Sequence, residues 1–470
     1  MMDTKIVVLA LIVLEIVAFW FAWRAVSSAR TSQGAVGWVV FLITAPYLGV
    51  PMYLFLGHHK FKHYLIARRD SAEIIEGVKG FREANAPENS TVLPVQAFEK
   101  IAELPAARGN NMTLLIDGHA TFDAIFAAID AAETYVLVQF YILRDDGLGL
   151  RLQDRLIAAA ARGVTVRLIF DAVGSNKLPR SYQDRLRAAG VQVVDPKSVR
   201  GPKNRFQINL RNHRKTVVVD GKVGFTGGFN VGDEYIGLDP KFGDWRDTHA
   251  RLEGPVVSQL QLIFAEDWHW ATSEILIDDL NWEAPHAPED MTAMIVPTGP
   301  GDEMETGALF FFSAISAAQH RVWIASPYFV PDTDVLTALI HAALRGVDVR
   351  ILVPEVIDHT IPWLAAFAYF DEIRAAGVQV WRYKPSFMHQ KVVLVDDDFA
   401  AIGTTNLDNR SFRLNFEAMA AFFDPRAAAA TARMLESDFD RALLLDKTLA
   451  EQPWRIRVGA PISRLFAPVL

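Results

Sequence analysis

The heptapeptide RAAGVQV occurs twice in the 470-residue chain, at 187–193 and again at 374–380. A stretch of this length recurs only if the segments around it were duplicated as well, so it restricts the chain to a repeated fold. In both copies Gly stands where a helix must end, and VQV begins a strand. The heptapeptide is therefore a helix-to-strand junction made twice, and it carries no chemistry of its own.

The segments ahead of the junction also follow one order in both halves. A strand, a helix and a second strand are predicted at 134–142, 152–163 and 164–171, and again at 320–330, 336–346 and 347–354. Strands alternating with helices predict an α/β fold, with mixed sheets flanked by helices. We divide the chain into a membrane anchor at 1–65, a linker of weak structure at 66–110, and domains at 111–285 and 286–470.

A second repeated pattern follows each junction. NHRKTVVVDGKVGFTGGFN occupies 212–230, and MHQKVVLVDDDFAAIGTTN occupies 388–406. A single match of this kind arises by chance in on the order of a few chains in a hundred, but two matches at equivalent places in a repeat indicate function. The shared residues are His213, Lys215, Asp220, Gly227, Gly228 and Asn230, and then His389, Lys391, Asp396, Gly403, Thr404 and Asn406.

The spacing of this motif predicts where its side chains point. Residues i and i+2 of a strand share a face, so His213 and Lys215 lie on one side, and the second copy repeats the arrangement. Asp220 points the other way and precedes a turn glycine, so a turn role and a catalytic role are equally open for it and for Asp396. The small residues that follow permit close approach of a ligand, and an Asn stands where a helix, and hence an anion site, can begin.

The residue types of the doubled motif fit one phosphodiester. Ammonium and amide groups stabilise charge on the non-bridging oxygens, which makes Asn230 and Asn406 candidate phosphate ligands. One neutral histidine can attack phosphorus, while the other protonates the leaving alcohol and later deprotonates the incoming nucleophile. This chemistry requires no metal and no cofactor, and the sequence has no carboxylate cluster spaced for a metal.

Two apolar runs near the N-terminus, at 6–23 and 35–57, each approach the roughly 20 residues that cross a bilayer as a helix. Pro46 and Pro51 are expected to kink the second run or make it re-entrant. A cleaved signal peptide is the competing interpretation of the first run, but a second apolar run follows at once. We predict a two-helix transmembrane hairpin.

The basic residues around these runs predict the orientation of the chain. Arg24 and Arg30 lie between the runs, whereas four basic residues follow the second one: Lys60, Lys62, Arg68 and Arg69. The positive-inside rule therefore places the catalytic domains in the cytoplasm.

Composition narrows the classes of function. The chain has no cysteine, which excludes disulfides and thiolate metal sites. Its formal net charge is −8 at pH 7, which disfavours a nucleic-acid partner because such proteins usually need a basic face. One basic stretch at 203–215 either attracts anionic lipid headgroups or is a solvated loop, and it contains Lys203, Arg205, Arg211 and Arg214.

The doubled His-x-Lys-x4-Asp pattern resembles the phospholipase D superfamily, and longer stretches resemble its bacterial cardiolipin synthases. These stretches are APYLGVPMYLFLG (45–57), FNVGDEYIG (229–237), WRDTHARLEGP (245–255), PYFVPD (327–332), NLDNRSFRLNFE (406–417) and RLFAPVL (464–470). The resemblance covers nearly the whole chain and implies two phospholipase D-like domains that form one shared active site. Thr404 departs from the superfamily, which usually has Ser or Gly at that position.

The resemblance also implies a reaction. One phosphatidylglycerol would give its phosphatidyl group to a histidine and release glycerol, and the glycerol hydroxyl of a second phosphatidylglycerol would then take that group to form cardiolipin. An acidic residue is implied beside each histidine, namely Asp247 for His213 and Glu417 for His389, with surface carboxylates as the alternative. Related enzymes use the first-half histidine as nucleophile, which here is His213.

Other functions stay open at this point. A phospholipase D, or a transferase with another alcohol or lipid acceptor such as phosphatidylethanolamine, would use the same chemistry. A nuclease is disfavoured by the apolar runs and the charge, and a non-catalytic scaffold would not need both His–Lys pairs. The interpretation carried forward is a multi-pass enzyme of the bacterial inner membrane, with phosphatidylglycerol, cardiolipin and the bilayer as partners, and with no nucleic acid.

Overall fold

The computed structural model describes residues 4–28, 31–57, 95–194 and 210–470. The chain divides into two compact units, one of residues 1–63 with 200–210 and the other of residues 64–199 with 211–470. Most of the predicted linker lies outside the described residues. The same holds for several basic residues used above: Arg30, Lys60, Lys62, Arg68, Arg69, Lys203 and Arg205.

The N-terminal unit contains three apolar helices, α1 (Thr4–Ser28), α2 (Ser32–Thr44) and α3 (Pro46–Leu56). Within the described part of the chain, α1 is the one helix long and apolar enough to cross a membrane. Pro46 begins α3 because a proline cannot supply the amide hydrogen that would continue α2. The predicted break at a proline is confirmed, whereas the predicted second spanning helix is instead two helices of 13 and 11 residues.

Small and aromatic side chains hold these helices together. Tyr53 of α3 is buried, and its ring centroid lies 5.1 Å from that of Phe21 and 5.0 Å from that of Trp38. Large apolar side chains on the rest of α1, such as Ile16 and Trp23, are exposed. An outer surface of this kind is stable in hydrocarbon and unfavourable in water.

The first half of the main unit begins at α4 and ends with α8. Its elements are α4 (Val95–Ala102), β1 (Ala107–Ile116), α5 (Asp117–Asp130), β2 (Tyr135–Phe140), α6 (Gly147–Ala161), β3 (Thr165–Phe170), α7 (Arg180–Ala188), β4 (Gln192–Val194), β5 (Arg211–Asn212), β6 (Thr216–Val219), β7 (Val223–Gly227), β8 (Thr248–Glu253) and α8 (Val256–Thr272). Helix α4 buries Val95, Phe98 and Ile101 in the core. This corrects the expectation of weak structure for the part of the linker that is described.

The second half repeats this order. Its elements are β9 (Met291–Thr298), α9 (Thr306–Ala317), β10 (Arg321–Ala325), β11 (Phe329–Val330), α10 (Thr333–Leu344), β12 (Asp348–Pro354), α11 (Thr360–Ala375), β13 (Gln379–Tyr383), β14 (Val392–Val395), β15 (Phe399–Gly403), β16 (Leu407–Asp408), α12 (Asn409–Arg413), β17 (Asn415–Phe422), α13 (Pro425–Phe439), β18 (Ala442–Leu444) and α14 (Trp454–Arg464). The predicted strand–helix–strand series ahead of each junction is confirmed.

One sheet of sixteen strands runs through both halves. Its order is β4-β3-β2-β6-β7-β8-β1 in the first half and β13-β12-β10-β14-β15-β17-β9 in the second, with β18 beyond β13 and β5 beside β17. The halves meet where β1 pairs with β9 in antiparallel orientation. Parallel pairs, such as β2 with β3, and antiparallel pairs, such as β6 with β7, both occur, so the predicted mixed α/β architecture is confirmed.

Helices cover both faces of the sheet, which explains the apolar strand runs. All six residues of β2 are buried. Val136 and Val138 lie in a core with residues of α5 and α6, whereas Leu137 lies in a second core with residues of α8 and α13. Successive strand residues point to opposite faces, so a strand buried on both faces is apolar throughout and does not alternate.

Candidate active site

Each motif histidine lies on a segment that pairs with the other half of the protein. Strand β5, just before His213, runs parallel to the start of β17, and the His213 amide donates to the Phe416 carbonyl at 2.9 Å. In the second half, the His389 amide donates to the Arg246 carbonyl at 2.8 Å. The two histidine segments therefore cross to opposite halves. The first reaches β17, which carries Glu417, and the second reaches Arg246, the residue before Asp247.

The structure pairs each histidine with the acid of the opposite half. Nδ1 of His213 lies 2.8 Å from Oε2 of Glu417, and Nδ1 of His389 lies 2.8 Å from Oδ2 of Asp247. Both carboxylates are completely buried. The expected partners were the reverse, Asp247 for His213 and Glu417 for His389, so that expectation is wrong. The exchange of segments between the halves is the physical reason.

The two motif lysines are buried beside these pairs. Lys215 and Lys391 are 0% and 1% exposed, and each ammonium donates to the carbonyl of the histidine two residues earlier. The ammonium of Lys215 also lies 5.7 Å from the centre of the Tyr141 ring. Besides burial, each lysine charge lowers the pKa of the histidine of the opposite half, so the structure brings together the two imidazoles and two ammonium groups of the doubled motif.

The motif aspartates lie at the far ends of their hairpins. Asp220 and Asp396 have φ angles of 53° and 47° and form the turns. The Asp220 carboxylate accepts hydrogen bonds from the amides of residues 133–135, and Asp396 repeats this with residues 319–321. Five residues of extended chain place Asp220 roughly 16 Å from Lys215. Of the two roles open for these aspartates, the structure shows the turn role, since they fasten each hairpin to the neighbouring strand, and a catalytic role stays a prediction.

The small residues of the motif make room for protein atoms. A Cβ at Gly228 would lie 1.9 Å from Oδ1 of Asp247, and a Cβ at Gly403 would lie 2.2 Å from the Ala418 carbonyl oxygen. The hydroxyl of Thr404 accepts a hydrogen bond from the Ala418 amide at 2.9 Å. As expected, another group approaches these small residues closely. That group is the neighbouring strand or acid, however, and not a ligand.

The two motif asparagines differ in their contacts. The side chain of Asn230 accepts from the Ile142 amide and donates to the Tyr235 hydroxyl, both at 3.1 Å. Asn406 is 5% exposed, and its Oδ1 has no hydrogen-bond partner among the described residues. Phosphate binding by these amides stays a prediction. No group of three or more His, Cys, Asp or Glu residues in the described ranges is placed to hold a metal ion.

Comparison with known proteins places this arrangement in a family. The sequence matches the family described as "Cardiolipin synthase, PLD-like domain" over residues 125–268 and 311–442. Cardiolipin synthase A of Pseudomonas fluorescens is 45% identical over 460 residues, which cover 96% of this chain and 95% of that protein. This chain belongs to the cardiolipin synthase A family. The resemblance inferred from the doubled motif is confirmed.

The match to the cardiolipin synthase A family extends into the N-terminal unit. Residues 16–58 match the family described as "Phospholipase_D-nuclease N-terminal". Cardiolipin synthase A of Pseudomonas aeruginosa is 44% identical over 479 residues, which cover 100% of this chain and 97% of that protein. The long apolar helix α1 within this shared region associates the protein with a membrane.

Solved structures share the fold of this cardiolipin synthase family member. The crystal structure of phosphatidylserine synthase from Haemophilus influenzae has a TM-score of 0.58 at 14% identity, over 80% of this chain and 99% of that one. Polyphosphate kinase from Porphyromonas gingivalis has a TM-score of 0.50 at 14% identity, over 81% of this chain and 56% of that one. At such low identity, these similarities concern the fold alone.

Burial shifts the charge state of the basic groups in this candidate site. It lowers the pKa of His213 to about 4 and that of His389 well below its ordinary range. It also lowers the pKa of Lys391 to about 8, and that of Lys215 well below its ordinary value. Both imidazoles are consequently neutral at pH 7. In all four groups, the cationic form is unfavourable unless an anion lies beside it. The site therefore favours an anionic ligand such as a phosphodiester, whose charge would balance the cations.

The two acids have different surroundings. Burial raises the pKa of Asp247 to about 6, in spite of Lys391 and the hydrogen bond from the Thr248 amide. Burial is the largest effect on the pKa of Glu417 and acts to raise it, but His213, the charge of Lys215 and a hydrogen bond from Thr404 together hold this pKa below its ordinary value. Glu417 further accepts hydrogen bonds from the Ser411 hydroxyl and the Asn415 amide, at 2.9 and 3.1 Å. The first-half histidine is thus held by the more firmly ionised carboxylate.

Several residues around the histidines were not predicted to belong to the site. The Tyr141 ring lies 4.9 Å from the His213 ring, and the Trp245 ring lies 5.4 Å from the His389 ring. Trp245 stands two residues before Asp247, and its indole nitrogen donates to Oδ2 of Asp247 at 3.5 Å. Arg214 is 1% exposed and paired with Asp267 at 2.9 Å, so this member of the basic stretch is neither solvated nor near lipid.

Proposed function

We propose that the protein is a phosphatidyltransferase that makes cardiolipin and glycerol from two molecules of phosphatidylglycerol. The observation that supports this most directly is the pairing of each buried histidine with the acid of the opposite half, beside two buried lysines. Relatives that match nearly the full chain at about 45% identity are named cardiolipin synthase A. Phospholipids are accordingly the substrates, and phosphatidylglycerol is the specific one that we propose.

In the first step, Nε2 of His213 attacks the phosphorus of phosphatidylglycerol. The bond between phosphorus and the glycerol oxygen breaks, and the electron pair leaves with that oxygen. His389 supplies the proton, so the products are phosphatidyl-His213 and free glycerol. The contact of Nδ1 with Glu417 supports this role because it leaves Nε2 as the nitrogen that carries the reactive lone pair.

In the second step, the acceptor's glycerol hydroxyl replaces the histidine. His389 takes the hydroxyl proton, the alkoxide oxygen bonds to phosphorus, and the bond between phosphorus and His213 breaks. His389 must therefore carry a proton at the start of the reaction. The negative charge of the bound phosphodiester and the buried Asp247, whose pKa is about 6, both favour that protonated state.

The lysines and the motif asparagines stabilise the phosphoryl oxygens in this proposal. Lys215 and Lys391 are buried, so their charges act on phosphate through a medium that screens little. Asn406 is buried, and its side-chain oxygen has no hydrogen-bond partner among the described residues, so its amide group is a candidate for contact with the phosphate. Transfer to water or to another alcohol would use the same phosphohistidine, and it is the alternative function.

We further propose that the protein spans the bacterial inner membrane more than once, with its main unit in the cytoplasm. Helix α1 has the length to span, and α2 with α3 would form a second, broken passage. The cytoplasmic side follows from the larger number of basic residues after α3 than in the loop after α1.

A turnover assay with phosphatidylglycerol alone tests the proposed reaction. Purified full-length protein in detergent micelles, without metal or nucleotide, is compared with His213→Ala, His389→Ala and a control, His320→Ala, whose side chain is exposed. Wild type and control should form cardiolipin and glycerol in equal amounts, and the two site variants should form neither. Phosphatidic acid with glycerol would instead identify water as the acceptor and make the protein a phospholipase.

A further inference from the structure

Arg211 breaks the two-fold repeat beside the first histidine. It stands two residues before His213, where the second half has Phe387 two residues before His389. Phe387 packs on its histidine, with ring centroids 5.8 Å apart. Burial raises the pKa of Tyr141, whose ring lies on His213, and the charge of Arg211 acts against this shift. One side of the site is therefore cationic where the equivalent side is aromatic.

Arg410 is a second cationic residue at which the two halves of the repeat differ. It stands four residues after Asn406, and the residue at that spacing in the first half is Glu234, which pairs with Arg144 at 3.2 Å. Arg410 lies on α12 and is partly exposed, and one of its guanidinium nitrogens donates to the Val469 carbonyl at 3.2 Å. At this position of the repeat, the second half therefore has a cation and the first half has an anion.

Backbone hydrogen bonds connect both arginines to Leu414. The Arg211 amide donates to the Leu414 carbonyl at 3.4 Å, and the Leu414 amide donates to the Arg410 carbonyl at 2.8 Å. Their charges interact, since burial first and the charge of Arg211 second lower the pKa of Arg410. Two like charges held together at a partly exposed position beside a phosphoryl-transfer site favour the binding of an anion.

The proposed reaction requires a second anion close to the first. The donor phosphodiester lies against Lys215 and Lys391, and the acceptor phosphatidylglycerol carries its own phosphate only three carbons from the attacking hydroxyl. The two phosphates repel each other, and the two lysines already face the donor. A separate cationic group must therefore hold the acceptor's phosphate if the acceptor is an anionic lipid.

We propose that Arg211 and Arg410 bind the phosphate of the acceptor lipid and so select an acceptor that carries a glycerophosphate group. This inference rests on the proposed transferase function. A planar guanidinium can donate two parallel hydrogen bonds to phosphate oxygens, and water or a simple alcohol offers no such contact. The pair is thus a specificity site that distinguishes phosphatidylglycerol from uncharged acceptors.

Two soluble acceptors that differ only in a phosphate test this site. Full-length protein in micelles receives phosphatidylglycerol with labelled acyl chains, together with either labelled glycerol or labelled sn-glycerol 3-phosphate. Attack of their hydroxyls on the phosphohistidine gives phosphatidylglycerol or phosphatidylglycerol phosphate, respectively. The measured quantity is the ratio of kcat/KM for glycerol 3-phosphate to kcat/KM for glycerol.

The variants are Arg211→Gln and Arg410→Gln, with Arg151→Gln on the exposed side of α6 as the matched control. We expect each site variant to lower the ratio about tenfold to a hundredfold, the loss typical of a hydrogen bond between charged groups. Arg211→Lys should restore part of it, and the control should keep the wild-type ratio. A ratio that is the same in wild type and in both site variants would overturn the inference.

Equilibrium binding separates this inference from the proposed function because it needs no turnover. Binding of sn-glycerol 3-phosphate is measured by calorimetry on His389→Ala and on the double variant His389→Ala/Arg211→Gln. Weaker binding in the double variant supports the anion site even if wild type forms no cardiolipin, in which case the proposed function alone fails. Equal affinity in the two proteins overturns the anion site whatever the reaction is.

Discussion

Oε2 of Glu417 lies 2.8 Å from Nδ1 of His213, although 204 residues separate the two in the chain. The mirror contact joins Asp247 to His389 over 142 residues. Neither half of the repeat therefore contains a complete histidine–acid pair. A single half, even if correctly folded, would present a histidine without its carboxylate, which explains why both motif copies stay together in one chain.

The first prediction concerns the orientation of His213. Glu417→Gln removes the charge that faces Nδ1 but preserves the shape of the side chain, so the imidazole loses its preferred tautomer. We expect the rate of cardiolipin formation to fall by about 10²- to 10⁴-fold. Nitrogen-15 NMR of the histidine rings should show altered shifts for His213, while His389 stays as in wild type.

Glu253→Gln is the control for this substitution, because Glu253 lies on β8 and is paired with Arg251 outside the site. It should leave both the rate and the ring shifts unchanged. A Glu417→Gln spectrum in which His389 shifts and His213 does not would contradict the pairing between halves.

The second prediction separates a structural role from a chemical one at Asp220. Asp220→Asn keeps a residue that tolerates the positive φ angle, but it weakens the hydrogen bonds from residues 133–135. We expect the free energy of unfolding to fall by about 1–3 kcal/mol, while the turnover of the folded fraction is retained. Thermal melting and activity at 25 °C check the two parts.

Asp397→Asn provides the comparison, since that side chain is 88% exposed and lies next to the equivalent turn in the second half. Its melting temperature should stay close to wild type. If Asp220→Asn abolished turnover in protein that melts like wild type, Asp220 would have a chemical role after all.

The third prediction concerns the space beside Asp247. A methyl group at Gly228 would lie 1.9 Å from Oδ1 of Asp247, and the Gly228 amide is tied to the Thr248 carbonyl at 3.0 Å, so the carboxylate must move. Gly228→Ala should therefore separate Asp247 from His389 and lower kcat about 10²-fold, as displacements near 1 Å at reacting groups do.

Gly37→Ala is the control for this change, because nothing lies within 4 Å of the added methyl group there. It should keep wild-type activity. A fully active Gly228→Ala protein would show that the contact between Asp247 and His389 is not needed for the reaction.

The fourth prediction uses the opposite pKa shifts of the two acids. The folded protein holds the proton of Asp247 up to about pH 6, whereas its ordinary pKa is 3.8. A raised pKa means that stability is lost as the pH rises through this interval. The side chain of Asp247→Asn does not ionise, so the variant does not lose stability in this way. The melting temperature of the variant minus that of wild type should therefore increase from pH 4 to pH 6.5.

Glu417 should behave in the opposite way. Its pKa is held below the ordinary 4.5, so it stabilises the fold above that pH, and this contribution is lost as the pH falls through the lowered value. Glu417→Gln should therefore melt below wild type at pH 7, and the gap should narrow toward pH 3.5. If the melting temperatures of Asp247→Asn and Glu417→Gln, relative to wild type, changed with pH in the same direction, the surroundings assigned to the two acids would be contradicted.

Local patterns allowed most of the elements to be predicted. The strand at 164–171 is observed as β3 (Thr165–Phe170), and the helix ahead of the second RAAGVQV is observed as α11 (Thr360–Ala375). Apolar runs, helix composition and a terminal Gly act over a few residues, so a single stretch contains the whole signal. The break at Pro46 was predictable for the same reason.

The errors concern residues whose roles depend on distant neighbours. A turn role and a catalytic role were open for Asp220, and the structure shows the first, with its carboxylate on the amides that begin β2. The sequence predicts space for a ligand at Gly228, but the group that fills this space, Asp247, lies 19 residues further along the chain. The helix at Val95–Ala102 was missed because its apolar face packs on a core formed by residues far beyond it.

The amino-acid sequence alone predicts a duplicated α/β protein with an apolar N-terminus, and it marks two His-x-Lys motifs as the candidate chemical groups. The folded chain is needed to show which acid contacts which histidine, and that Arg211 and Arg410 both bond to Leu414. Spacing along the chain reports on neighbours within one strand or helix. The pairing of β5 with β17, and of Arg246 with Met388, joins segments about 140 to 200 residues apart, and no local pattern encodes such a choice.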